Sequence, residues 1–243
     1  MRVEKILAVA GENLSQKCRN RLEELGFEVE LLPAYKRLGK GVDTHADLMV
    51  FPLEDRIFTY RELSESLCDL TDKLRGRGYT VEMTDKIPSE KYPRDIALNF
   101  LQIGKYIFCN RKYASQEVLS YAESRGYTVV NVNQGYARCT ACPVSDSGVI
   151  SADPSMLSAA DNKGIKNLSI SVGSVVLEGF DYGFIGGSCG AFGNSLYFAG
   201  DLCAHPDGER IESFCGSVGV KAVSLSDEPL TDVGSIFFFR TLN

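Results

Sequence analysis

Five times along this 243-residue chain, a helix-like stretch ends in a glycine, a bulky residue follows and a β-like run begins. The copies read LGFEVELL around Gly26, RGYTVEMT around Gly78, RGYTVVNV around Gly126, KGIKNLSI around Gly164 and VGVKAVSL around Gly219. Glycine ends a helix at such a point because it has no Cβ to clash at positive φ. One junction of this kind says little. Five at roughly even spacing define an internal repeat, which confines the chain to architectures built from like units.

A second element recurs ahead of each helix, a short turn followed by an aromatic or β-branched strand. It reads LEDRIFT from Leu53, QIGKYIFCN from Gln102, SDSGVISAD from Ser145, FGNSLYFAGD from Phe192 and VGSIFFFRT from Val233. Runs of this composition bounded by Gly, Asp, Asn or Ser are hairpin strands. Before each turn lies a further short segment: HADLMVF, PRDIALNF, CTACPV, GGSCGAF and PLTDV. One unit is therefore strand, turn, strand, helix, glycine, strand, and the middle three units are expected to be complete in sequence order. The last unit lacks a helix after FFFRT, while the chain begins with ILAVAG and the helical run SQKCRNRLEELG. The first helix is thus predicted to complete the last unit in space and close a ring. An open α/β sheet is the rival, but it carries one strand per helix rather than a hairpin.

The helices are amphipathic. Leu63, Leu67, Leu70 and Leu74 give RELSESLCDLTDKLRG one apolar face, and Val118, Leu119 and Ala122 do the same for SQEVLSYAESRG. They are expected on the outside of the ring, with the glycine-rich and polar segments facing its axis. Residues 33–44, PAYKRLGKGVDT, read as a flexible connection, and residues 1–243 as one domain.

A net charge of −6 without a basic block argues against nucleic acid and against an anionic membrane as partners. The opening MRVEKILAVAG reads as a first strand rather than a leader, and no stretch approaches the roughly 18 apolar residues of a membrane span. Eight cysteines at irregular spacing read as reduced thiols in a cytoplasmic protein. Homo-oligomerisation is left open.

Five such units about a pseudo-fivefold axis resemble the pentein fold, the α/β-propeller shared by guanidino-group-modifying enzymes and a ribosome-associated translation factor. The stretch GYTVEMTDKIPSEKYPRDIALNF resembles the family's recurring run from strand through loop to an acidic residue before the next strand. Arg94 and Asp95 match its Arg-Asp or Glu-Asp pair, and the resemblance implies that Asp95 meets a substrate guanidinium. It also implies a catalytic histidine at the inner start of the penultimate unit and a nucleophilic cysteine before the last hairpin turn. By alignment on the turns, this chain places Phe184 or a near neighbour at the first position and Asp232 or Val233 at the second, and neither can do the family's chemistry, in which a thiolate attacks the guanidino carbon and histidine shuttles protons. The series HADL, GYARCT, YGFIGG, HPDGERI and PLTDVGSI is similar to a bacterial pentein-like branch of unknown function lacking the usual catalytic pair.

The inner segments nevertheless offer His45 with Asp47, Arg94 with Asp95, Cys139 with Cys142, Cys189, and Asp232. Five segments can converge these groups at one mouth of an axial channel, the default place for a binding site. Asp95, Arg94, Asp47 and Asp232 are the candidate ligand-binding residues. Cys142 or Cys189 is a candidate displaced nucleophile, with His45 or Asp47 as base, since Gly186, Gly187 and Gly190 would let backbone N–H groups approach a bound anion. The competing account is that those glycines relieve crowding at the axis and Cys189 fills a small buried space. Cys139-x-x-Cys142 lacks the second ligand pair of a zinc site, and the strand expected after it denies it the helix N-terminus of a redox pair. GGSCGAFGNS lacks the Gly-Lys-Ser/Thr ending of a phosphate loop. His205, before Pro206, reads as helix entry. No metal and no cofactor is expected. The absent family cysteine and histidine favour binding a small guanidino- or amino-acid-like ligand at the axis; the alternatives are a diverged enzyme acting on an amidine or amide, and a protein-interaction module.

Overall fold

The computed structural model describes residues 5–242. Strand β1 (Leu7–Gly11), helix α1 (Gln16–Glu24) and β2 (Glu28–Leu32) open the chain. A first hairpin unit follows, with the single turn α2 (Ala46–Met49), β3 (Val50–Leu53), β4 (Arg56–Tyr60), α3 (Cys68–Gly76) and β5 (Thr80–Thr84). The next has β6 (Leu101–Ile103), β7 (Tyr106–Cys109), α4 (Gln116–Ser124) and β8 (Thr128–Asn131). Then come α5 (Ala137–Thr140), β9 (Ala141–Ser145), β10 (Gly148–Ser151), α6 (Pro154–Asp161) and β11 (Lys166–Ser169). The last full unit has β12 (Cys189–Phe192), β13 (Ser195–Phe198), α7 (Gly208–Ser217) and β14 (Lys221–Ser224), and β15 (Phe237–Phe239) ends the series.

These strands form five three-stranded sheets. In each, the middle strand runs antiparallel to one neighbour and parallel to the other, with orders β3-β4-β5, β6-β7-β8, β9-β10-β11, β12-β13-β14 and β15-β1-β2. The pattern follows from the connections. A two-residue turn can join only antiparallel strands, while a parallel neighbour needs a crossover of helical length. Glu54, Gly104 and Gly193 sit in three of these turns at φ 55°, 53° and 58°, as tight hairpin loops require.

The expected α/β-propeller is therefore present, with one change of count: four units, not three, are complete in sequence order. The fifth is assembled from both ends of the chain, Leu7 pairing with Phe239 and Val9 with Phe237. The first strand is Leu7–Gly11, and residues 1–4 of the run read as that strand lie outside the described residues. No helix among the described residues is long and apolar enough to cross a membrane.

Each of the five glycines carries a positive φ, between 70° and 95°. Around each, two backbone bonds close the helix. Gly26 N–H donates to Glu23 C=O (3.0 Å) and Phe27 N–H to Leu22 C=O (3.1 Å), and the same pair recurs at Gly78, Gly126, Gly164 and Gly219. This is the Schellman arrangement, in which the bulky residue after glycine packs on the helix's last buried turn. Leu22, Leu74, Ala122, Ala160 and Cys215 supply that buried partner. A Cβ at Gly126 would meet no atom within 4 Å, so a substitution there tests backbone strain alone. Gly126→Ala is expected to lose about 1–2 kcal/mol. Gly76→Ala, at an equally open helical site without positive φ, is expected to gain about 0.5–1 kcal/mol. Urea titration of the two variants checks the opposite signs.

Local detail departs from the sequence reading in two helices and one loop. Leu63 lies in a 3-10 turn (Arg61–Leu63) and Leu67 precedes α3, which starts only at Cys68; all four leucines are still buried. α7 begins at Gly208, two residues beyond Pro206, after a 3-10 turn over Leu202–Ala204. Residues 33–44 are not a loose connection. Tyr35 N–H donates to Asp43 C=O (2.7 Å), and the Tyr35 ring stacks on Tyr60 at 6.5 Å.

The strands β6, β9, β12 and β15 pack on one another in turn about the axis, and each long helix covers its own sheet. Backbones meet closely there. A Cβ on Gly186 would lie 2.1 Å from Arg138 C=O, and one on Gly190 2.1 Å from Ile236 C=O. Glycine is needed at these positions for space, as the crowding account of GGSCG expects.

Candidate active site

The repeat places one residue per unit at the same end of the ring. His45, Asp95, Tyr136, Phe184 and Asp232 each stand five or six residues ahead of β3, β6, β9, β12 and β15, and all five line one cavity of about 400 Å³. Phe184 and Asp232 are among the residues that alignment on the turns offers for the family's histidine and cysteine positions, with Val233 the alternative to Asp232. Leu177, Phe180, Asp181 and Tyr182 from the preceding loop also line it, and Phe180, Tyr182 and Tyr92 are its exposed aromatic residues.

Beneath these residues lies a buried polar group. Cys139 Sγ is 3.2 Å from both carboxylate oxygens of Asp47. Ser235 donates its hydroxyl to Asp47 Oδ2 at 2.5 Å. Asn99 ties three units together: its amide donates to Cys139 Sγ and to Asp47 C=O, both at 3.2 Å, while its oxygen accepts Arg138 N–H at 2.8 Å. Burial pushes the Asp47 carboxyl above its usual range, the Ser235 hydrogen bond and the Arg138 charge opposing, and burial followed by the Asp47 charge pushes the Cys139 thiol well up. His45 is 1% exposed, and neither ring nitrogen has a hydrogen-bond partner among the described residues. Its Nε2 lies 3.7 Å from Asp232 Oδ1. Burial lowers its pKa, so the ring is neutral near pH 7.

Asp232 takes Phe184 N–H on Oδ2 (2.9 Å) and Gly234 N–H on Oδ1 (3.1 Å). Burial nevertheless raises its carboxyl to about 6, those two bonds and Arg138 pulling the other way. Asp95 accepts the Tyr136 hydroxyl on Oδ2, while its buried Oδ1 has no protein partner. Burial raises its pKa too. Arg94 does not join it. The side chain is exposed and does not line the cavity, because the chain turns inward only at Asp95.

Cys142 and Cys189 lie elsewhere. Their sulfurs face each other at 3.0 Å in the core packed around Ile150, Phe198 and Ile211, and neither lines the cavity. A change of backbone separates the two cysteines of Cys139-x-x-Cys142: Cys139 lies in the helical turn α5 and lines the cavity, whereas Cys142 is the second residue of β9 and packs in the core. Burial raises the Cys142 thiol. At Cys189 burial is outweighed by the Cys142 hydrogen bond and the Arg138 charge, which draw it down. Arg138 is itself buried, donating to Gly186 C=O (2.7 Å) and Cys189 C=O (3.0 Å).

His205 accepts Asp207 N–H on Nδ1 (3.0 Å) and lines a neighbouring cavity of about 360 Å³. Asp207 in turn accepts Ser171 N–H (2.7 Å) and pairs with Arg210, fixing the base of the loop that walls the site. These bonds, the Ser171 N–H first, hold its carboxyl near 2 against an ordinary 3.8. A depressed folded pKa adds stability above the unfolded value, and that stability disappears as pH falls through the folded one. The stability gap between wild type and Asp207→Asn is therefore expected to shrink between about pH 4 and pH 2. Denaturant midpoints read across that range check it.

Sequence reasoning reached four of the five ring positions but missed Tyr136, and it weighed Cys139 only as half of a CxxC. The signal was available: Tyr136-Ala137 before α5 repeats His45-Ala46 before α2.

Solved structures share this fold at low identity. DDAH from Pseudomonas aeruginosa, in a variant with serine replacing a cysteine and bound to citrulline, superposes with a TM-score of 0.58 at 10% identity, over 92% of each chain. The amidinotransferase SxtG of Microseira wollei, from saxitoxin biosynthesis, gives 0.57 at 9% identity over 92% of this chain and 78% of that one. The product-bound N-terminal domain of ArgZ, a cyanobacterial arginine dihydrolase, gives 0.55 at 10% over 91% and 90%. The fold is thus that of the pentein superfamily. No curated protein matches the sequence. A family model does, along residues 9–237, and the chain belongs to that family, the family of unknown function DUF6873.

Proposed function

We propose that the protein binds a small organic cation, a guanidinium or amidinium group on an amino-acid-like body, in the axial cavity. One observation carries this reading: among the described residues, the cavity wall holds four carboxylates (Glu90, Asp95, Asp181, Asp232) and five aromatic rings but no lysine or arginine. A planar delocalised cation gains both from charge-assisted hydrogen bonds and from aromatic faces. Asp95 Oδ1 is a buried acceptor without a partner, the kind of atom that binding satisfies. A space of about 400 Å³ suits a ligand of that size. Phe184 and Asp232 at the family's catalytic positions favour holding the cation over cleaving it.

A displaced-nucleophile enzyme is the second reading, and it passes from Cys142 and Cys189 to Cys139, the cysteine that lines the cavity. In such a step the Cys139 sulfur would bond the amidino carbon as its proton moves to Asp47. That proton would then leave with the departing amine, and water would release the acyl-like group. The buried thiol's raised pKa weighs against it.

Thermal shift and calorimetry with arginine, agmatine and guanidine against acetate and glutarate test the proposal. The cations are expected to stabilise the fold, and Asp95→Asn to weaken them at least about tenfold, the loss of one charge-assisted bond. Equal shifts with anions, or none with any cation, would overturn it. Covalent mass added on Cys139, or amine released, would favour the second reading.

A further inference from the structure

We propose that His45, Asp47 and Cys139 form a three-donor site for a zinc-class divalent cation, with the fourth position open to the axial cavity. One nitrogen of His45, one oxygen of Asp47 and the sulfur of Cys139 lie within 4.8 Å of one another, all buried. Tetrahedral zinc with bonds of about 2.0–2.3 Å spaces its donors about 3.3–3.8 Å apart. Cys139 and Asp47 already stand at 3.2 Å. Only the imidazole must swing inward, and no hydrogen bond from the described residues holds it: both of its nitrogens lack partners among them although the residue is 1% exposed. Burying an unpaired imidazole costs free energy that coordination would recover.

The surroundings complete the pattern of a metal centre. Outer groups that orient ligands are a regular part of such sites. Here Ser235 fixes the Asp47 carboxylate, Asn99 donates to the Cys139 sulfur, and Asp232 stands 3.7 Å from His45 Nε2. A thiolate, a carboxylate and a neutral imidazole sum to two negative charges, which a divalent cation cancels in a buried setting. Sulfur together with nitrogen selects zinc or cobalt over magnesium or calcium. His45 and Cys139 line the cavity, so a water or ligand atom can reach the fourth position, as in zinc sites that keep one coordination place open. Binding displaces the Cys139 proton to solvent. The site does not rest on the organic-cation reading: it is argued from the donor set of His45, Asp47 and Cys139, and its test reads a cobalt–thiolate band rather than binding of an organic cation.

The test uses the full chain after chelator treatment, titrated with Co²⁺ and then Zn²⁺. The expected result is one Co²⁺ per chain with a thiolate-to-cobalt charge-transfer band, abolished by Zn²⁺. Cys139→Ser is expected to remove the band and weaken zinc by more than about 100-fold, beyond the loss of an outer-shell partner. Cys142→Ser should keep both. Asp47→Asn, a near-isosteric change, should weaken zinc while leaving the thiolate band, which covers the case in which Cys139→Ser misfolds. No thiolate band in wild type, or a band that persists in Cys139→Ser because exposed Cys68 or Cys203 binds the ion, overturns the assignment.

Discussion

Gly186→Ala is expected to cost about 3 kcal/mol or more, enough to threaten folding of a marginally stable chain. The added methyl would sit 2.1 Å from Arg138 C=O, 2.5 Å from Cys139 C=O and 2.6 Å from Ala141 C=O. These are backbone atoms, so no side-chain rotation relieves the clash. Two units of the ring would have to part, breaking the bond from Arg138 to Gly186 C=O. Denaturation midpoints beside those of Gly126→Ala separate this overpacking from simple strain. A Gly186→Ala protein within 1 kcal/mol of wild type would show that the axis is looser than the backbone contacts require.

Arg138→Met is the second large effect, expected at about 3–5 kcal/mol. Its guanidinium is 5% exposed and bonds two carbonyls of the neighbouring unit. It also sets a positive charge near Asp47 and Asp232, lowering the pKa of both. Methionine fills much of the volume but leaves the carbonyls unbonded and the carboxylates without their cation, the kind of loss that costs most when buried. The pH response should change as well. Asp232 keeps its proton to about pH 6 when folded and to about pH 4 when unfolded, so its ionisation lowers stability as the pH rises between those values. Without Arg138 that decline should extend to higher pH. Equilibrium unfolding of both proteins from pH 5 to pH 8 measures it. Parallel curves would show that Arg138 acts through its hydrogen bonds alone.

The architecture was legible because its signals are local and repeated. A glycine that must adopt positive φ, followed by a residue that must cover the helix end, marks each junction whatever surrounds it. The site was legible only in part. Asp95 and Asp232 could be placed by counting from the turns, since depth in the ring is set by distance along each inner strand. Arg94 could not, for one residue separates the exposed approach from the inward turn. The three cysteines were indistinguishable in composition. What separates Cys139 from Cys142 is the change from helical turn to strand at Ala141, a boundary that sequence periodicity does not resolve over so few residues. The pairing of Cys142 with Cys189 and of Cys139 with Asp47 joins residues 47 and 92 positions apart, and contacts at such separations leave no local trace.

The pairing of β15 with β1 carries a consequence for how the protein is made. Asp232, which lines the cavity, and Ser235, which bonds Asp47 beneath it, lie between β14 and β15, so both are synthesised after the four units that are continuous in sequence. Four units can form as the chain emerges, but the first strand and helix must wait, half a unit exposed, until the final hairpin partner arrives. Contacts spanning almost the whole sequence slow folding because the loop must close before they reward it. Until then the four continuous units form an open array, and the cavity comes into being in the same event that pairs β15 with β1.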